Sequence, residues 1–257
     1  MLHPRRRTTL ALLPALSWPA LTQADTPPAP LTLVTSDLPP MSMAGEPGRR
    51  GALLDLVEQM VARAGLAVQP QFFPWARAML LAAEQPRTLI MPLNRTPERE
   101  ARFQWLVKLY TQRISFHSLV GLARVESLEQ ARRLRIAVLR GSSTLDTLQQ
   151  QGVQPGRIYQ SASVSDMHRA LERRLVDALC GSELIHLDAW RRGGRSPAQL
   201  QTGLALESPE VWLAGHRGST AAEQEPLQRA HAALLADGST ERLFKRYGLR
   251  FRAEDLR

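Results

Sequence analysis

The chain has 257 residues, 44% of them hydrophobic, which is enough for one large domain or two smaller ones with separate cores. Its formal net charge is +9, and Arg5, Arg6 and Arg7 supply three of those charges within an acid-free leader, leaving +6 for the rest. Those arginines are scattered among acids with no basic run interleaved with aromatics, which argues against nucleic acid as a partner, and a single cysteine, Cys180, excludes an internal disulfide.

In chain order, "MLHPRRR" is a basic start, "TTLALLPALSWPAL" is an apolar stretch broken by Pro14 and Pro19, and "TQA" puts small residues before a cut after Ala24. This is the pattern of a secretory signal peptide over residues 1–24. No cysteine follows the cut to carry a lipid, and no later run reaches the roughly 18 apolar residues of a membrane span, so a soluble periplasmic protein is expected. After the proline-rich "DTPPAP", "LTLVTS" reads as a buried strand. Leu53, Leu56, Val57, Met60, Val61 and Ala64 recur at helical spacing between Gly51 and Gly65. "AVQPQFFP", "WARAMLLAAEQ" and "TLIMPL" continue as strand, helix and strand. The extended stretch 113–124 reads as a connector to a second module. There "RIAVLR", "RIYQSA" and "VDALC" predict strands, alternating with helices from "STLDTLQQQG", "SVSDMHRALERRL" and "SELIHLDAWRRGG". "VWLAGH" is one more strand, and two helices close the chain. Ser127 with Gln130, and Thr220 with Glu223, predict capping boxes. Strands alternating with helices predict α/β modules with largely parallel sheets.

No G-x-G-x-x-G, Walker loop, G-x-S-x-G elbow or H-E-x-x-H motif occurs. His117, His168, His186, His216 and His231 have no second histidine or cysteine at i+3 or i+4, so no metal or cofactor is expected, and Cys180 in its apolar run reads as a buried inert thiol. The loops at strand ends, residues 35–41, 92–99, 140–144 and 181–183, are polar, and ligands of open α/β sheets bind beyond such ends. Thr96 as N-cap, Pro97 at the first helical position and Glu98 in the first turn predict a helix start that carries Arg99. There Arg99 either grips a carboxylate bidentately or pairs with a surface acid such as Glu98.

Taken in order, "LTLVTSDLPPM", "LVEQMVARAG", "FFPWARAM", "NRTPEREARF", "SLEQARRLRIAVLRGSS", "LVDAL" and "LLADGSTERLFKRYG" resemble the family 3 bacterial solute-binding proteins, periplasmic receptors of polar amino-acid ABC transporters. The likeness runs over about residues 30 to 250. It implies an α/β, two-lobed periplasmic-binding-protein-like (type II) fold, with residues 25–119 and 213–257 in the first lobe and 120–212 in the second. A hinge is expected near 119–123 and 209–214. It further implies a monomer without cofactor, a small anionic or zwitterionic ligand in the cleft, and an ABC transporter permease as partner. The family arginine that clamps the ligand's α-carboxylate falls on Arg99, with Asn94 before it and Ser142 and Ser143 as the second-lobe contacts. Asp37 takes the first-strand acid's place and Trp75 the aromatic wall. The family acid for the ligand's ammonium falls on Ser182, with Glu183 next to it, so either the register shifts by one residue or the ligand lacks an ammonium. Two alternatives remain: a dehydratase on the same scaffold, with Glu183 as general acid, and a sensory domain without transport. With the chain ending at Arg257 soon after its last helix, no fused kinase or transglycosylase domain is expected.

Overall fold

The computed structural model describes residues 30–45, 48–251 and 253–256, so the leader lies outside the described residues. The first module is β1 (Leu31–Thr35), α1 (Ala52–Arg63), β2 (Val68–Phe72), α2 (Trp75–Glu84), β3 (Thr88–Asn94) and β4 (Phe103–Thr111). The second is β5 (Ile114–Leu119), α3 (Leu128–Arg133), β6 (Ile136–Leu139), α4 (Ser143–Gln150), β7 (Ile158–Ser161), α5 (Val164–Glu172), β8 (Ala178–Ser182), α6 (Glu183–Arg192) and β9 (Leu200–Glu207). The chain then returns to the first through β10 (Glu210–His216), α7 (Ala221–Ala236) and α8 (Ser239–Arg246).

The strands form two five-stranded sheets, ordered β2-β1-β3-β10-β4 and β7-β6-β8-β5-β9. Both are mixed: in each, four strands run the same way and one is reversed. β10 runs antiparallel to β3 and β4, and β5 runs antiparallel to β8 and β9. Each antiparallel strand is the first that the chain lays down after it changes lobe. The stretch 113–124, expected as a connector, contains β5, an inner strand of the second sheet. Its alternation explains this: Ile114 and Phe116 enter one core cluster of the second lobe, while Ser115 and His117 are buried off that cluster. The lobe boundary expected at 119/120 therefore falls between Thr111 and Ile114, and the return falls between Glu207 and Glu210 rather than at 212/213. The two crossings are tied together, since the Gln112 N–H donates to the Pro209 carbonyl at 3.1 Å. β4 and β9 were not anticipated.

The predicted helix α1 buries Leu53, Leu54, Leu56, Val57, Met60 and Val61 against the first sheet's core. In the second lobe, Ile136, Val138, Ala178 and Cys180 fill the core on one face of the sheet, and Ala137 and Leu179 on the other. The Thr220–Glu223 capping box is complete. That of α3 is half formed: Ser127 accepts from the Gln130 N–H at 3.2 Å, but the Gln130 amide oxygen accepts from Glu126 instead of Ser127.

Candidate functional site

Both sheets aim the C-terminal ends of their strands at the seam between the lobes, which is where ligands sit on open α/β sheets. There lies a cavity of about 70 Å³. From the first lobe it is walled by Leu38, Trp75, Pro92, Asn94 and Arg99, and at the crossing by Gln112. The second lobe supplies Ile114, the start of α4 with Ser142, Ser143 and Thr144, and the end of β8 and start of α6 with Cys180, Gly181, Ser182, Ile185 and His186, together with Leu139 and Val164.

Arg99 does not start an α-helix. Residues Pro97–Arg99 make one 3-10 turn, and the Thr96 hydroxyl caps nothing. The chain has too few residues there to wind further before β4 must pair with β10. The anion-friendly helix start belongs to α4 in the opposite lobe. Arg99 is nonetheless 6% exposed, and its guanidinium spans the seam, Nη1 donating to the Asn94 carbonyl and Nη2 to the Gly141 carbonyl, each at 3.0 Å. Burial lowers its pKa to about 10, with Asp146 the largest opposing influence, so it remains a cation at neutral pH. Among the described residues no carboxylate makes an ion pair with it. Of its five N–H groups three are left for another acceptor.

Asn94 is the hub of the seam. Its Nδ2 donates to Ser143 Oγ in the other lobe at 2.9 Å, and its Oδ1 accepts from the Gln112 amide. The Ser142, Ser182 and Gln112 Oε1 oxygens are buried without a partner. Gly141 lets the lobes approach this closely. It has φ +79°, and a Cβ there would stand 3.1 Å from the Ala76 Cα. Trp75, at the start of α2 and 4% exposed, forms part of the wall.

Two expected residues are not brought to the cavity. Asp37 is exposed, accepts from the Ala44 N–H at 3.0 Å, and faces a second, wider cleft of about 550 Å³ together with Phe72, Phe73, Ser163, His168 and Arg195. Glu183 is the first residue of α6, one past the N-cap Ser182, and lies outside the cavity wall, where Ser115 Oγ donates to it and Arg113 pairs with it at 3.2 Å. Ser182, not Glu183, lines the cavity at this strand end.

Sequence reasoning missed Gln112, Thr144 and His186. The signal for Gln112 is its place at a lobe crossing, which the misplaced boundary hid. For His186 no local signal exists: β5, α5 and α6 bring His117, His168 and His186 together from distant positions. His168 Nε2 lies 3.1 Å from His186 Nδ1, and the rings of His117 and His186 are 5.2 Å apart. Among the described residues no three His, Cys, Asp or Glu side chains converge as metal ligands. Burial holds His117 and His168 down at about 4 and His186 well below its usual value, so all three are neutral at pH 7.

No protein-family model matches the chain, and no curated protein matches its sequence. Solved structures do match. The arginine-, lysine-, histidine-binding protein ArtJ from Geobacillus stearothermophilus superposes with a TM-score of 0.77 at 13% identity, over 88% of this chain and 99% of that one. A histidine kinase sensor domain with similarity to periplasmic binding proteins gives 0.78 at 14%, over 85% and 96%. The GluR0 ligand-binding core from Nostoc punctiforme, in complex with L-glutamate, gives 0.74 at 16%, over 85% and 99%. The fold is that of the two-lobed periplasmic binding proteins. At such identities the likeness is one of architecture, and function has to be argued from the cavity.

Proposed function

We propose that this chain is an exported solute receptor that closes its two lobes over a small carboxylate-bearing ligand and serves an ABC transporter permease as a monomer. The observation that carries this reading is Arg99: a buried guanidinium with no carboxylate partner among the described residues, held by carbonyls from both lobes at the wall of a cavity. Isolated buried charge is costly, and a ligand anion offsets that cost only when the lobes are shut, which couples binding to closure. In this reading Arg99, Asn94, Ser142, Ser143 and Ser182 face the ligand and Trp75 walls it, while Asp37 and Glu183 do not touch it. The dehydratase alternative loses its proposed acid with Glu183. ArtJ, which binds amino acids by name, and the sensor-domain neighbour share this fold, so the second reading is a sensory receptor that closes in the same way without a permease.

A thermal-shift screen of a carboxylate and amino-acid library tests the reading. A ligand at 100 times its Kd stabilises by about 2.7 kcal/mol, or roughly 5–10 °C for a chain of this size. Failure of every carboxylate to raise the melting temperature rejects it. Closure about the crossings at residues 112–113 and 208–209 should reduce the radius of gyration in small-angle scattering when such a ligand is added to an open form. The exported protein should begin at Asp25, read by N-terminal sequencing; an intact Met1 in a membrane fraction contradicts export.

A further inference from the structure

The charges around the cavity do not suit a zwitterion. Among the described residues its wall holds one cation, Arg99, and no Asp or Glu side chain. The four acids next to wall residues in sequence are engaged elsewhere: Asp37 closes its own loop, Glu183 pairs with Arg113, Glu98 accepts from Gln150 at 3.1 Å and Glu100 pairs with Arg95, while Asp146 and Glu207, which act on Arg99 through space, lie outside the wall. His186, the other titratable wall residue apart from the Cys180 thiol, is kept neutral by burial, so it adds no counter-charge. What remains uncommitted is neutral: the Ser142 and Ser182 hydroxyls and Gln112 Oε1, each buried and without a partner. The other half of the wall is apolar, from Leu38, Trp75, Leu139, Val164 and Ile185.

We infer that the site takes a small amine-free carboxylate, such as a 2-hydroxy or 2-oxo acid, in preference to the α-amino acid of the same shape. This rests on the carboxylate reading of Arg99 given above and sharpens it. The carboxylate goes to Arg99 and the start of α4, and the 2-oxygen takes the hydroxyls of Ser142 and Ser182, which donate to a keto group and exchange hydrogen bonds with an alcohol. An ammonium in that place would be a second buried cation beside Arg99 with no carboxylate in the wall to pair with it, which is a larger penalty than an exchanged neutral hydrogen bond. Size bounds the ligand without separating the two classes. One water-sized sphere takes about 10–15 Å³, so the cavity's volume corresponds to roughly five to seven such spheres, the scale of lactate or pyruvate in the closed state.

The test is calorimetry on the full mature protein with shape-matched pairs: lactate against alanine, and 4-methyl-2-hydroxypentanoate against leucine, each repeated with Arg99→Ala. The expected result is that in at least one pair the hydroxy acid binds about 100-fold or more tightly than the amino acid, and that Arg99→Ala loses it. An amino acid that binds as tightly as its hydroxy partner, or more tightly, overturns the inference. If that amino acid is lost in Arg99→Ala, carboxylate capture itself still stands. A hydroxy acid held equally well by Arg99→Ala overturns both, as does failure of every member of both pairs together with an unresponsive carboxylate library. Ser182→Asp adds the missing counter-charge and should shift preference toward alanine; a folded Ser182→Asp protein with unchanged selectivity for lactate also overturns the inference.

Discussion

Arg99→Ala abolishes ligand capture while leaving the unliganded protein folded. Removing one partner of a buried, hydrogen-bonded charge pair costs about 2–5 kcal/mol, which is roughly 30- to several-thousand-fold in Kd. Arg99→Lys keeps the charge, but its ammonium cannot hold the Asn94 and Gly141 carbonyls and a carboxylate with one planar fork, so binding falls clearly there too. The melting temperature of the unliganded variant changes by no more than a few degrees, because two hydrogen bonds are lost while an unpaired buried cation is relieved. Arg95 is the control. It lies at the surface, paired with Glu100 at 2.8 Å and stacked 4.9 Å from the Trp212 ring, and so Arg95→Ala leaves Kd unchanged. Isothermal titration with the ligand from the library screen reads all three variants. Wild-type affinity in Arg99→Ala ends the proposal, and unfolding of Arg99→Ala would make the arginine a structural tie between the lobes.

Much of this architecture was legible because it is local. The apolar spacing of α1, the short apolar strands and the Thr220–Glu223 box each depend on residues within one turn or one strand. Arg99, Asn94, Ser143 and Ser182 were legible for a different reason: each stands at the end of a predicted strand or the start of a helix, and topology sends those ends to the seam. What local pattern hides is pairing. β5 resembled a linker although Ile114, Ser115, Phe116 and His117 alternate apolar and polar: the run is short and its polar side chains are buried too, so no exposed face marks it as an inner strand. β9, an edge strand with Gly203 in it, buries too little to announce itself. Whether Ser182 or Glu183 faces the cavity turned on a single residue of register at the end of β8, and adjacent residues at a strand end point opposite ways. The histidine cluster is the extreme case, with three side chains from three elements and no spacing rule to link them.

That cluster gives the second large expectation, a loss of stability between pH 7 and pH 5 well before the carboxylates titrate. His117, His168 and His186 are almost fully buried, packed ring to ring. The groups that face them are few. Arg195, which lowers the His168 pKa further, and Glu172, which raises it, are bound to each other by two hydrogen bonds, and Thr202 meets His117 at 3.2 Å. No acid lies inside the cluster among the described residues to hold a proton. With the folded values of His117 and His168 near 4 and the unfolded value near 6.5, the unfolded chain takes up protons in that window and the folded one does not. Stability is therefore complete at neutral pH and falls as pH drops below about 6.5, the direction for a depressed histidine. From pH 7 to pH 5 each of the two costs about 2 kcal/mol, roughly 3–4 together, out of a typical total of about 5–15. His186 and His231, also lowered by burial, add to the loss. Glu58 and Glu207, raised by burial, act in the opposite sense, while Glu172 and Asp177, lowered by their arginine partners, matter only in stronger acid. Urea unfolding at pH 7, 6 and 5 should show stability falling with a slope of at least about two protons, and His168→Gln should reduce that slope by about one. Equal stability at pH 7 and pH 5 would mean that the cluster takes up protons without unfolding, by opening toward the second cleft that His168 borders, and would show that the packing of these three rings is not what the acid limit of the fold depends on.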